Sequence, residues 1–192
     1  DDITIISRSW DQLASGNIID NYGNLYINKE NLAGNYYFSG DIKHTHGATT
    51  EINLKGKPEM DGEAYVITAN LDGEIKGSDN NFKLNIEGKN AVWFMGEKQD
   101  STVYGVTLKD GGSIVVNNNN WLFHDGSGVW DDRYKNVRFR NFSSDKKSYI
   151  FLSSDLANDI GDTLTFFGTL PEGLSVEIVN KNDNDGIPIK ES

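Results

Sequence analysis

Short apolar runs, each closed by Gly, Asn or Asp, recur along this 192-residue chain about every 8–12 residues. They start at Ile3–Ile6, Leu25–Ile27 and Tyr36–Phe38, and continue through Glu51–Leu54, Ala64–Leu71, Phe82–Ile86 and Ala91–Met95. Val103–Leu108, Ser113–Val116, Trp121–Phe123 and Val137–Phe139 extend the series. Helical spacing shows only at Trp10, Leu13 and Ala14, and Gly16 and the shortness of that stretch (Trp10–Ile19) weaken it. The pattern predicts an all-β chain.

Two architectures compete for such a pattern. An antiparallel sandwich, as in an adhesin domain, joins strands by two-residue Asp-Gly turns and wets one face of each strand. Asp61-Gly62, Asp72-Gly73, Asp110-Gly111 and Asp125-Gly126 fit it. A parallel β-helix instead repeats a Leu/Ile-x-Gly texture, as at Asn53–Gly56, Glu74–Gly77, Asn85–Gly88 and Leu108–Gly111. Pairs of these marks lie roughly 20–35 residues apart, the range of solenoid repeats. We expect the β-helix, with three short strands per circuit, aliphatic ladders inside and variable turns outside.

Composition narrows the partners. A formal charge of −11 argues against nucleic acid or an anionic membrane as the main partner, because phosphate neutralisation needs a basic surface. With no cysteine there is no disulfide or thiol chemistry, and a long β-helical core can do without either. Twenty glycines against three prolines suit many tight turns. The abrupt Asp1-Asp2 start and the polar 182–192 tail give the look of a piece of a larger protein.

Tyr149 to Asn180 is the stretch around which the rest is organised. It reads as three strands, Tyr149–Ser153, Thr163–Phe167 and Ser175–Val179, with turns at Gly161-Asp162, Gly168 and Pro171-Glu172-Gly173. Tyr149, Phe151 and Ser153 share one face of the first strand, Ile150 and Leu152 the other, and both faces are largely apolar. The order Asp155-Leu156, Gly161-Asp162, Leu164-x-Phe166, a glycine turn and a closing strand ending at Asn180 resembles the pertactin-like C-terminal passenger region of bacterial autotransporters. The match spans Asn136 to Asn180 well and the upstream chain by texture only.

The resemblance implies a right-handed parallel β-helix with a C-terminal β cap, the folding-initiating autochaperone region. It divides the chain into stalk rungs over 1–141, a cap over 142–181 and a polar tail or linker over 182–192. Tyr149, Phe151, Leu164, Phe166, Val176 and Ile178 would form the core of that cap. It further implies a secreted or cell-surface protein of a Gram-negative bacterium, with an outer-membrane β-barrel on the same polypeptide. Its partners would be a surface receptor, a glycan or another copy of itself.

No catalytic, cofactor-binding or metal residue is expected. His44 and His46 would share a strand face and could grip one metal with Asp41 or His124, but no spacing connects the set, and two surface histidines is the simpler reading. Asn182–Gly186 looks like a calcium loop, yet Lys181 and Ser192 fall where its ligands should be. Asp131 and Asp132, beside Arg133, Trp130 and Tyr134, are the best pair for sugar chemistry or glycan contact. Adjacent residues of a strand nevertheless point to opposite faces. The alternative function is therefore a carbohydrate-binding or carbohydrate-active β-helix using the loop 125–134. Gly126-Ser127-Gly128 lacks the helix and lysine of a phosphate loop, and no nucleophile elbow occurs. Asn117–Asn120 suits an asparagine ladder in a turn. Trp93 and Trp121 read as core residues, and Trp130 as exposed.

Overall fold

The computed structural model describes residues 3–6, 17–58, 67–77, 79–95, 101–116, 134–180 and 189–190. Twenty strands and no helix run through these residues. The first circuit of the chain contributes β1 (Ile3–Ile6), β2 (Asn17–Asn21) and β3 (Asn24–Ile27), and the second β4 (Tyr36–Ser39), β5 (Asp41–His44) and β6 (Thr49–Lys55). The third has β7 (Ala69–Asp72), β8 (Ile75–Gly77) and β9 (Phe82–Glu87). Then come β10 (Ala91–Phe94), β11 (Ser101–Tyr104) and β12 (Val106–Lys109), followed by β13 (Ser113–Val115), β14 (Asn136–Arg140) and β15 (Ser143–Ser144). The described chain closes with β16 (Tyr149–Asp155), β17 (Ile160–Gly161), β18 (Thr163–Phe167), β19 (Ser175–Asn180) and β20 (Ile189–Lys190).

From β1 to β16, neighbours in space are three strands apart in sequence. The first sheet runs β1-β4-β7-β10-β13-β16-β19-β20, the second β18-β14-β11-β8-β5-β2 and the third β15-β12-β9-β6-β3. The chain thus visits three parallel sheets in rotation. Among the described residues, only β17 against β16 and β20 against β19, both at the C-terminal end, pair antiparallel. The Asp-Gly steps among the described residues make no hairpins, for Asp72-Gly73 lies between β7 and β8, and Asp110-Gly111 between β12 and β13, strands of different sheets. Circuit length varies, since Val92 faces Ser113 whereas Ser113 faces Tyr149.

Alternation within each strand aims one row of side chains inward. In β9, Phe82, Leu84 and Ile86 are buried while Lys83, Asn85 and Glu87 point out. Parallel in-register pairing then stacks like upon like. Phe38, Leu71, Trp93, Ile114 and Ile150 form one column up the first sheet, all with no exposed surface. Ile27, Ile52, Leu84 and Val106 form another up the third. Val103, Phe139 and Phe166 continue the second. Each buried side chain of this size contributes about 1.5–3 kcal/mol.

Corners demand special backbone. Val103–Leu108, expected as one strand, is two strands of different sheets, because Gly105 turns between them at φ +72°. A Cβ there would also collide with the Phe82 carbonyl oxygen of the circuit below. Outside the third sheet an asparagine ladder does occur, though at other positions than expected. Asn85 Nδ2 donates to Asn53 Oδ1 at 2.6 Å, and Asn53 Nδ2 to the Asn28 carbonyl at 3.1 Å. Asn117–Asn120, the Trp121–Phe123 strand and the helical spacing at Trp10–Ala14 lie outside the described residues.

The column assignment is testable at adjacent residues. Leu84→Ala should cost about 2–5 kcal/mol in urea denaturation, and Lys83→Ala beside it no more than about 0.5 kcal/mol. Equal losses would contradict the inward row.

Candidate functional site

Polar side chains enter this apolar column at one corner, between the second and third sheets. In β5, Ile42 and His44 are both buried, with Lys43 exposed between them. The His44 side chain is only 1% exposed. Beyond it the strand ends, and the chain turns through Gly47 at φ +86°. That turn carries His46 away, leaving its side chain 95% exposed. The two histidines therefore do not share a strand face, and His44 is not a surface residue, which corrects the sequence reading. Its inward period was visible in the Ile42-x-His44 alternation.

His44 sits in a chain of hydrogen bonds crossing three circuits. Nε2 lies 2.8 Å from Asp79 Oδ1, and Nδ1 lies 2.9 Å from Thr50 Oγ1. The Thr50 hydroxyl oxygen also accepts from Asn21 Nδ2 at 2.8 Å, and Asn21 Nδ2 donates to the Thr49 carbonyl at 2.7 Å. Asp79 only accepts, so the set is satisfied when Nε2 carries the proton and Nδ1 accepts from Thr50. Phe82 lies edge-on to the imidazole, its centroid 5.6 Å away. Room for the Phe82 ring comes from Gly77, where a Cβ would stand 2.6 Å from it.

Thr50, His44 and Asp79 follow the order of a nucleophile relay, but Thr50 has no exposed surface and its hydroxyl is bonded to Asn21. A substrate has no route to that oxygen. What the arrangement can do is clasp three circuits. His46 Nδ1 also reaches Asp79, at 3.3 Å from Oδ2. Even so, no group of three or more metal-ligating side chains occurs among the described residues. Asp41, the other sequence candidate, instead accepts the backbone N–H of Glu74 at 2.8 Å, and His124 lies outside the described residues.

Burial pushes the Asp79 carboxyl up, but hydrogen bonds from the Gly47 N–H, His44 and the Asn81 N–H outweigh it and hold it below its ordinary 3.8. Glu74, buried at a neighbouring corner, goes the other way: burial raises it above 4.5 against the pull of Lys76, 3.3 Å away. Beside them the buried Lys135 donates Nζ to the Met95 carbonyl at 3.1 Å.

The six residues expected to form one cap core divide between two faces. Ile150 enters the main core, and Val176 and Ile178, which pair with Ile150 and Leu152, lie on that same half-buried side. Leu164 and Phe166 pack against the main core as well. Tyr149 and Phe151 point outward, where Phe151 joins Val92, Phe94 and Val115 in a second apolar cluster. Both faces of β16 are apolar, so the sequence alone does not say which is inside. Phe139 and Phe142, not expected there, complete the aromatic end: centroids are 4.8 Å apart for Phe139–Phe142, 5.6 Å for Phe139–Phe166 and 5.2 Å for Phe142–Phe166.

Of the expected glycan contacts, Tyr134 is half-buried just before β14, while Trp130, Asp131 and Asp132 lie outside the described residues, as does the Asn182–Gly186 turn. An open groove of roughly 330 Å³, lined by Asn35, Tyr36, Tyr37, Ile67, Thr68 and Asn70, runs along the outer side of the first sheet. Comparison of the whole chain with protein-family models, with curated proteins and with solved structures finds no match in any of the three.

The clasp carries a pH signature. Stability supplied by Asp79 is full above its ordinary pKa and drains away as pH falls through the lower folded value. Asp79→Asn should therefore be less stable than the parent at neutral pH, with the gap closing below about pH 4 in urea titrations. A gap that stays constant on acidification would refute this role.

Proposed function

We propose that the chain is a right-handed parallel β-helix serving as a non-catalytic stalk of a secreted passenger, and that its last circuits form a folding cap. The observation that carries this reading is the rotation through three parallel sheets around continuous side-chain columns, ending at half-buried aromatics. Right-handedness follows from the twist that governs crossovers between parallel strands. A stack of this kind gains its stability from neighbour on neighbour.

The ends of such a stack expose unpaired backbone groups and invite stray pairing. At the C-terminal end β17 and β20 lie antiparallel on the first sheet, which breaks the parallel template. Phe139, Phe142 and Phe166 pack ring on ring across the last circuits, a concentrated apolar contact on which neighbouring strands can assemble. These features support the autochaperone-like role. The bacterial surface location, the outer-membrane β-barrel on the same polypeptide and a receptor, glycan or self-association partner belong to the same proposal. They rest on the Asp155 to Asn180 pattern.

Folding kinetics test the cap. Phe166→Ala should slow refolding, with a φ-value above about 0.5, while Phe38→Ala in the second circuit should mainly speed unfolding, with φ below about 0.3. The reverse order would place the nucleus upstream and remove the cap's role.

A further inference from the structure

The three outer faces treat charge differently. On the third sheet neighbouring circuits alternate in sign: Glu51 faces Lys83, and Lys55 faces Glu87, which faces Lys109. Lys55 Nζ meets Glu87 Oε1 at 2.7 Å. This is how a ladder looks when stability alone is at stake, since opposite charges across strands attract and like charges repel. The first sheet's outer face carries an apolar cluster, Val92, Phe94, Val115 and Phe151, among polar residues such as Asn70, Asp72 and Glu177.

The second sheet breaks that rule. Lys43 stands directly opposite Lys76 on the next circuit, and both are exposed. Thr102 continues the row, then Arg138, with Arg140 two residues along the same outward face of β14. Arg140 lies over the Phe167 ring at 4.8 Å from its centroid, and Phe167 is 47% exposed. Four exposed cations thus gather on one flat face of a chain whose formal charge is −11. Acids flank the row at Asp20, opposite Lys43, at Asp41, two residues before Lys43 on β5, and at Glu74, 3.3 Å from Lys76; Arg138 faces Thr102 and Thr165 instead.

We propose that the outward face of the second sheet binds a linear acidic polysaccharide, one bearing carboxylate or sulfate groups. Circuits lie about 4.8 Å apart, so Lys43 to Arg138 spans roughly 14 Å along a straight row. That row suits an extended chain with an anionic group on successive sugars. Arginines receive carboxylate or sulfate in a bidentate fork, and the Phe167 ring offers the apolar surface on which a sugar face stacks. Lys43 on Lys76 is a like-charge pair across strands, the kind that disfavours pairing, and it is offset at its two sides by Asp20 and Glu74. This surface follows from the strand register alone and is independent of the passenger reading.

The test is binding of the full chain to polygalacturonate, heparin, neutral dextran and a single-stranded oligonucleotide by calorimetry at low salt. Polygalacturonate or heparin should bind, and which of them does identifies the anionic group; dextran should not. Affinity should fall as ionic strength rises past about 0.1 M. The double variant K43E/R138E should lose about tenfold or more with an unchanged thermal transition, and K83E/K109E on the third sheet should lose far less. Should the reversals disturb folding, K43Q/R138Q is read instead, with the same direction of effect. Three results overturn the proposal: no binding to either acidic polysaccharide, equal losses from the third-sheet control, or tighter binding to the oligonucleotide.

Discussion

The in-register stacking of inward side chains between successive circuits is the constraint on which everything else rests. A single circuit offers three short strands and cannot bury its own inner row. Leu84 is fully buried because Ile52 lies on one side of it and Val106 on the other. Strand pairing and side-chain packing point along the same axis, so each circuit is stabilised by its neighbours rather than by distant parts of the chain. Variable turns are then tolerated, provided each returns the strand in register.

The same constraint explains how a polar cluster survives inside. His44 occupies an inward position where the columns elsewhere hold aliphatic and aromatic residues, and an unpaired imidazole there would be costly. Thr50 from its own circuit, with Asn21 and Asp79 from the circuits on either side, leaves each polar atom of the relay with a partner. Such a network is stabilising only when complete, and it ties three circuits into one register. Its burial is the reason it reads as a clasp rather than as chemistry.

Much of the strand pattern was legible in the sequence. Phe82–Ile86 and Ala91–Met95 nearly coincide with β9 and β10, because alternation and glycine punctuation report local geometry directly. The three strands of Tyr149 to Asn180 fall where the residues put them. Other features depended on tertiary placement. Nothing local distinguishes the two apolar faces of β16, so the inward choice of Ile150 over Phe151 came only with the neighbouring sheet. Gly105 splits an apparently continuous strand because the circuit below, with Phe82 at its edge, leaves no space for a side chain. Of the partners of His44, Thr50 follows on its own circuit, but Asp79 lies on the next one, at a sequence distance that the intervening turns set. The basic row was hidden too, because Lys43, Lys76 and Arg138 become neighbours only through register.

Outside the columns, each sheet carries a different surface: an apolar cluster on the first, a row of cations on the second, paired charges on the third. All three depend on which residues of adjacent circuits stand side by side. That adjacency is most directly tested with spin labels, and the chain's lack of cysteine allows them to be placed at will. Labels on a Glu51→Cys/Lys83→Cys variant sit on neighbouring circuits, in register across strands about 4.8 Å apart. The account predicts strong dipolar broadening of their spectrum relative to either single label. A spectrum that is simply the sum of the two singles would contradict the stacking itself.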